Sequence, residues 1–248
     1  NELSPEYTKG NENKLALYIA DTWQVTPKFK LLYGGRLEYY RMSADQISLG
    51  RYNGFYIGGT NAGGVTVEPA KVTKDKLNYA ATIQGQYALT DKFGFLADAT
   101  VATRFPRISE YAGTGPTEEQ YNRVTIPLIR GGVYFKNSWI DLTSMITYIS
   151  KSNNIDQQNL TNPGTSESKT VLLIYDIHTL GWTTSAEIDP FKGFHLHALF
   201  TWQKPQYKNY NASVTFNNGN TMSVDADKMI VKEIPQILIE FDPSYQIT

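Results

Sequence analysis

The sequence contains no cysteine, which excludes a disulfide framework and any thiolate metal site. It has no charge surplus either. The 23 Lys and Arg against 24 Asp and Glu leave a net charge of −1, where a nucleic-acid-binding chain would show a basic excess. Histidine is scarce, with three in 248 residues. No stretch approaches the roughly 18 consecutive apolar residues that a transmembrane helix needs. Membrane-crossing strands escape that test, because only alternate residues face lipid. There is no Gly-x-Ser-x-Gly elbow and no His-Glu-x-x-His pair. The glycine-rich run at 58–64 lacks the Lys-Ser/Thr of a phosphate-binding loop. The chain therefore reads as a non-enzyme without a cofactor. It also opens on Asn-Glu-Leu-Ser rather than a basic-then-apolar leader, the expectation for a mature protein or a fragment.

Aromatic residues are plentiful: 17 Tyr, 11 Phe and 4 Trp. Their placement is clearest in Leu15 to Tyr40, where two alternating runs meet at Thr26-Pro27-Lys28. In the second run Leu31, Tyr33, Gly35, Leu37 and Tyr39 fall on one face, and Leu32, Gly34, Arg36 and Glu38 on the other. A strand sends successive side chains to opposite sides, so this run is apolar and aromatic on one face and turns charged on the other. Both runs exceed the usual five or six residues of a strand.

The unit repeats. Tight turns are predicted to start at 26, 90, 136, 190 and 242, with two strands and one long connection between successive turns. The expected long loops are 43–76, about 105–126, 150–168 and about 205–227, and residues 1–12 read as the end of another. The remaining strands are expected at 77–89, from 93, 128–135, from 140, about 170–189, from 194 and 228–241. Connections as long as the first are rarely structural filler. Short turns at one end, long loops at the other, and aromatics beside the turns (Trp23, Phe29, Phe93, Phe135, Trp139, Phe191, Phe194, Phe241, Tyr245) form the pattern of an outer-membrane barrel. The fold class expected is all-β: an antiparallel transmembrane β-barrel portion of nine to ten long strands, with short periplasmic turns and long extracellular loops. The competing architecture is a soluble β-propeller or sandwich.

Three phrases carry a family likeness. LYIADTWQVTPKFKLLYGGRLEYY resembles the recurrent barrel hairpin of TonB-dependent outer-membrane receptors, Y-x-x-D-x-W, turn, L-x-x-G-x-R, through Tyr18, Asp21, Trp23, Leu32 and Gly35, with Gly34 and Arg36 giving the closer Gly-x-Arg match. ATRFPRISEYAG is similar to the family's F-R-x-P-x-x-x-E phrase through Arg104, Phe105, Pro106, Glu110 and Tyr111, with Arg and Phe exchanged. TTSAEIDPFKGFHLHALFTW resembles a third through Thr183, Glu187 and Trp202, with Ser185 where glycine is usual. The resemblance implies a barrel of about 22 strands, an amino-terminal plug, and a place in the Gram-negative outer membrane. It also implies an inner-membrane TonB energy-coupling partner and uptake of a scarce nutrient such as an iron chelate, cobalamin or glycan. With nine strands and no plug, 1–248 is expected to be a single partial barrel domain from the middle of a longer receptor. Its expected partners are outer-membrane lipid, the plug of the same parent chain, the TonB protein and a small-molecule or glycan ligand, with no nucleic acid. The alternative is a surface β-protein acting as an adhesin or glycan-binding module without transport.

His195 and His197 share a face and are read as lumen-lining residues rather than metal ligands. Asp98, Asp141, Glu187 and Glu240 are spread over separate strands, as in a hydrated wall, and not paired as in a glycosidase. The candidate ligand contacts are Arg36, Arg104, Arg107, Arg123 and Arg130, whose guanidinium groups suit an anion, with Tyr52, Tyr56, Tyr111 and Tyr121 to stack on it. Ion pairing of the wall arginines with a plug is the other reading of the same residues.

Overall fold

In the computed structural model, residues 6–48, 70–105 and 123–246 are described. Eleven strands account for most of them: β1 (Glu6–Thr26), β2 (Phe29–Ser48), β3 (Ala70–Ala88), β4 (Phe93–Arg104), β5 (Val124–Lys136), β6 (Ile140–Thr161), β7 (Ser168–Ile188), β8 (Phe194–Lys208), β9 (Asn211–Thr215), β10 (Thr221–Asp225) and β11 (Ile237–Tyr245). The chain clusters into two units, one of residues 1–18, 36–79 and 103–124, the other of 19–35, 80–102 and 125–248.

The second unit holds parts of all nine strands of a sheet ordered β1-β2-β3-β4-β5-β6-β7-β8-β11. Every pairing with a defined register is antiparallel. β1–β2, β3–β4, β5–β6 and β7–β8 are neighbours because two-to-five-residue turns leave no other option. Backbone hydrogen bonds tie neighbouring turns into one rim: Ala88 N to Lys28 O, Lys136 N to Lys92 O, Asp189 N to Trp139 O and Gln246 N to Gly193 O. Gly193 there adopts φ 86°, and a Cβ would meet the Gln246 carbonyl oxygen at 2.8 Å. Both facts restrict the position to glycine.

Register sorts the side chains. Ile237, Trp202, Trp182 and Ile146 form one cross-strand row, and Phe241, Ala198, Ala186 and Leu142 another. These rows lie on the apolar face, and many of their large residues are exposed. Interleaved rows on the opposite face are polar, among them Asp242, His197, Glu187 and Asp141. Polar atoms on the apolar face satisfy one another: Trp182 Nε1 donates to Ser144 Oγ at 2.8 Å, and Tyr148 Oη lies 3.0 Å from His178 Nδ1. A face turned to lipid requires this, since no water is available there.

The first unit contains Glu6–Tyr18 of β1, 36–48 of β2, 70–79 of β3 and the end of β4. Tyr40 and Met42 are buried in it, and Tyr40 stacks on Phe105 at 6.0 Å.

The boundaries depart from the sequence expectation in several places. Residues 6–12 are strand, not loop. The 150–168 loop shrinks to six residues, because β6 and β7 pair as far as Thr161–Ser168. A bulge between Lys151 and Asn154, with Asn153 at φ 55°, shifts the faces by one residue and ends the alternation. The 205–227 loop contains the last turn of β8 and the β9–β10 hairpin, closed by Gly219 at φ 85°. The expected strand from Lys228 begins only at Ile237, with Ile230 bridging Gln206 before it. Asp242-Pro243-Ser244 is not a turn. It is strand, and Pro243 stands opposite Leu196. Lacking an N–H, Pro243 gives the ladder no hydrogen bond at that position. Of the expected loops 43–76 and about 105–126, residues 49–69 and 106–122 lie outside the described residues, whereas 43–48 continue β2, 70–76 open β3 and 124–126 open β5.

Candidate functional site

The polar face has its own chemistry. Arg130, on β5, donates from Nε to both carboxylate oxygens of Asp98 on β4, at 3.1 and 3.0 Å. Asp98 is only 8% exposed, so the pair compensates a desolvated carboxylate. In the first unit, Arg36 pairs with Glu38, and Asn78 Nδ2 donates to the other Glu38 oxygen at 3.2 Å. Nearer the turn rim, His197 Nδ1 lies 2.6 Å from Glu187 Oε1, its cross-strand neighbour. His195 spans Glu187 and Asp189 at 3.2 and 2.8 Å. Among the described residues, no three His, Asp or Glu side chains have metal-holding geometry.

At the opposite end, above the bulge, three elements converge. The inserted residue brings Asn154, Asp156 and Gln158 of β6 to the face of Leu173 and Tyr175 on β7. Tyr207 follows from β8 and Tyr210 from the segment after it. Their three rings form a mutual cluster, with centroids 4.7, 4.8 and 5.5 Å apart. Tyr210 Oη donates to Asp156 at 2.8 Å, and Tyr207 Oη donates to Glu233 at 3.3 Å. Burial, followed by the Asp156 carboxylate, pushes the Tyr210 phenol up to about 12, so it remains a donor.

A small core holds this layer together: Leu160, Leu173, Tyr210, Phe216 and Val231 are all buried. The β9–β10 turn is fastened by amides. Asn162 Nδ2 donates to Asn218 Oδ1 at 2.9 Å, and Asn220 Nδ2 donates to Asn162 Oδ1 at 3.2 Å. Lys169 Nζ donates to the Thr215 carbonyl at 2.8 Å. Beside Tyr207, a recess of about 730 Å³ opens against residues 226–236, lined by Met229, Ile230, Glu233 and Ile234 among others. That volume lies in the range of about 300–1,000 Å³ common to small-molecule sites.

The expected contacts have different surroundings. Arg36 and Arg130 are engaged by Glu38 and Asp98. Arg104 ends β4. Arg123 precedes β5, its guanidinium 5.4 Å from the Tyr79 ring centroid. Arg107, Tyr52, Tyr56, Tyr111 and Tyr121 lie outside the described residues. The Tyr175, Tyr207 and Tyr210 cluster was not anticipated. Its one sequence signal is the aromatic clustering of Tyr207 and Tyr210 in QYKNY, which follows a strand longer than a membrane crossing needs.

No protein-family model matches the chain, and no curated relative does. Solved structures do. The ferric-catecholate import receptor Fiu from K12 E. coli matches 97% of this chain at 18% identity and TM-score 0.65. The copper transporter OprC matches 96% at 16% identity and TM-score 0.64. The ferric yersiniabactin uptake receptor FyuA from Yersinia pestis matches 95% at 12% identity and TM-score 0.56. The chain covers 33%, 33% and 38% of these structures, about a third of their length. At such identities the likeness shows the fold alone, that of an antiparallel transmembrane β-barrel portion.

Proposed function

We propose that this chain is part of the barrel of a TonB-dependent receptor in the outer membrane that imports a scarce nutrient. The observation carrying the reading is the two-faced sheet of long strands with one rim of short turns. An exposed apolar face of this kind needs lipid, and a polar interior needs a hydrated plug or pathway. The similar structures are named as a ferric-catecholate import receptor, a ferric yersiniabactin uptake receptor and a copper transporter, which supports uptake of a metal or its chelate. The plug of the parent chain would fill the interior, and the TonB protein would supply the work.

Solute recognition belongs at the long-loop end. There the Tyr175, Tyr207 and Tyr210 rings and the neighbouring recess offer aromatic and carboxylate contacts. From the sequence pattern, Arg104, Arg107 and Arg123, with Tyr52, Tyr56, Tyr111 and Tyr121, are proposed independently as cationic and stacking contacts for a ligand. Arg36 and Arg130 have carboxylate partners and are better placed as wall residues.

The test is accumulation of radiolabelled ferric chelates, cobalamin and oligosaccharides in cells carrying the full-length protein, before and after collapse of the proton gradient. Gradient-dependent accumulation of one solute, weakened by Tyr207→Ala, is the expected result. Binding at the surface without accumulation would replace the import reading with that of an adhesin or glycan-binding module.

A further inference from the structure

The apolar face is not uniformly filled. Where β3 meets β4 it is floored by small residues. Gly85 stands opposite Ala97, and Ile83 opposite Ala99. Phe29 and Leu31 of β2 form one wall and Ile129 of β5 the other, bounding a groove of about 440 Å³. The Phe29 ring leans over Gly85, where a Cβ would meet its Cε2 at 3.3 Å. Any larger residue at 85 would push that wall outward and fill the depression.

The groove covers most of the depth of one leaflet. It runs from the Tyr87–Phe95 pair beside the turns to the Ile83–Ala99 pair. Four residues rise about 13 Å at roughly 3.3 Å each. At a strand tilt of about 45° that is about 9 Å along the membrane normal, most of the half of an apolar band about 25 Å tall. Its turn-side end also carries charge. Lys28 and Lys92 stand in the two turns flanking it, with Asp91 the one acid between them, and the Lys28 ammonium lies 3.5 Å from the Leu89 carbonyl oxygen. An apolar channel spanning most of a leaflet, ending at two exposed ammonium groups, is complementary to a lipid with one negative head group.

The geometry points to a binding site for one anionic phospholipid of the turn-side leaflet, an acyl chain lying over Gly85, Ala97 and Ala99 and the phosphate facing Lys28 and Lys92. This inference rests on the membrane placement proposed above. It does not depend on the solute or on energy coupling.

The test is native mass spectrometry of the full-length protein, extracted from membranes in mild detergent and titrated with phosphatidylglycerol or phosphatidylcholine. A one-to-one adduct with phosphatidylglycerol is expected. Ala97 and Ala99 are exposed, so Ala97→Leu/Ala99→Leu fills the groove without a clash and lowers the adduct about tenfold. Ala198→Leu, elsewhere on the same face, leaves it unchanged, and Lys28→Gln/Lys92→Gln removes the preference for phosphatidylglycerol. An adduct equally abundant in the leucine variant, or equal for both lipids in the unaltered protein, overturns the site. A folded, membrane-extracted protein that carries no adduct overturns the lipid site alone. Loss of nutrient uptake with the adduct intact overturns the import reading alone.

Discussion

A wall arginine and a ligand-binding arginine are the same residue type on the same face, and only the partner separates them. Arg130 holds both oxygens of Asp98, a carboxylate that the sheet has removed from water. Removing the guanidinium leaves that charge unpaired, which costs more than the net worth of the pair. The Arg130 side chain is 45% exposed, so the cost is discounted for solvent screening. Arg130→Ala is expected to destabilise the full-length protein by about 1–2 kcal/mol, and Asp98→Ala in the same chain should recover part of the loss. Urea unfolding in detergent reads both. If ligand affinity falls while the unfolding midpoint stays fixed, Arg130 contacts the solute and is not a wall residue. The sequence places Arg130 on the polar face by alternation alone. It does not reveal Asp98, which is 32 positions away and becomes a neighbour only through the register of β4 and β5.

At the level of the strand, two adjacent glycines show what alternation decides. Gly131 lies opposite Ile146, on the apolar face, with nothing within 4 Å of an added Cβ. Gly132 lies opposite Met145, and its added Cβ would collide with the Ser144 carbonyl and come within 2.7 Å of Met145 Cα. Backbone atoms cannot step aside as a side-chain end can. Gly131→Ala should therefore stay within about 0.5 kcal/mol of the unaltered protein, and Gly132→Ala should lose about 1–3 kcal/mol or fail to assemble β5 on β6. Equal effects in thermal unfolding would contradict this register. The long strands, turn positions near 26, 90, 136 and 190, and the polarity of the faces beyond β1 were legible because a membrane strand must alternate over its whole crossing. Strand ends were not. Beyond the membrane lipid no longer imposes alternation, so the pattern carries no strand signal there. β6 and β7 pair as far as Thr161 and Ser168, a mostly polar stretch of β6 against the apolar run 171–174 of β7, and one bulged residue at Asn153 reverses the pattern. The Asp-Pro-Ser run fails for the opposite reason. It has turn chemistry, but its pairing with β8 decides its conformation. The Tyr175, Tyr207 and Tyr210 cluster was hidden with those ends, since it forms only where β6, β7 and β8 overrun the membrane.

For the molecule as a whole, the apolar face leads to one physical conclusion. Ile146 is 61% exposed and sits in a cross-strand row with Trp182, Trp202 and Ile237. In water, a continuous row of this kind across several strands would recruit other chains. In lipid it is solvated, and the hydrogen bond from Trp182 Nε1 to Ser144 Oγ removes the polar atom that lipid would penalise. Depth can be worked out from the strand. Ile146 lies six residues beyond Ile140, the turn-side start of β6. That is about 20 Å along the strand and about 14 Å along the membrane normal at a tilt of about 45°, close to the middle of a 25 Å band. An arginine at that depth costs about 2–4 kcal/mol on the lipid face. Thr147, the next residue, faces the polar side and stands opposite Gly181. Ile146→Arg should therefore lower the folding free energy of the full-length protein in phospholipid vesicles by about 2–4 kcal/mol, while Thr147→Arg changes it by less than about 1 kcal/mol. A soluble β-sheet in the same sequence would tolerate the exposed Ile146→Arg and resist a large charge on its packed side. The order of the two effects thus decides between the architectures without reference to any ligand.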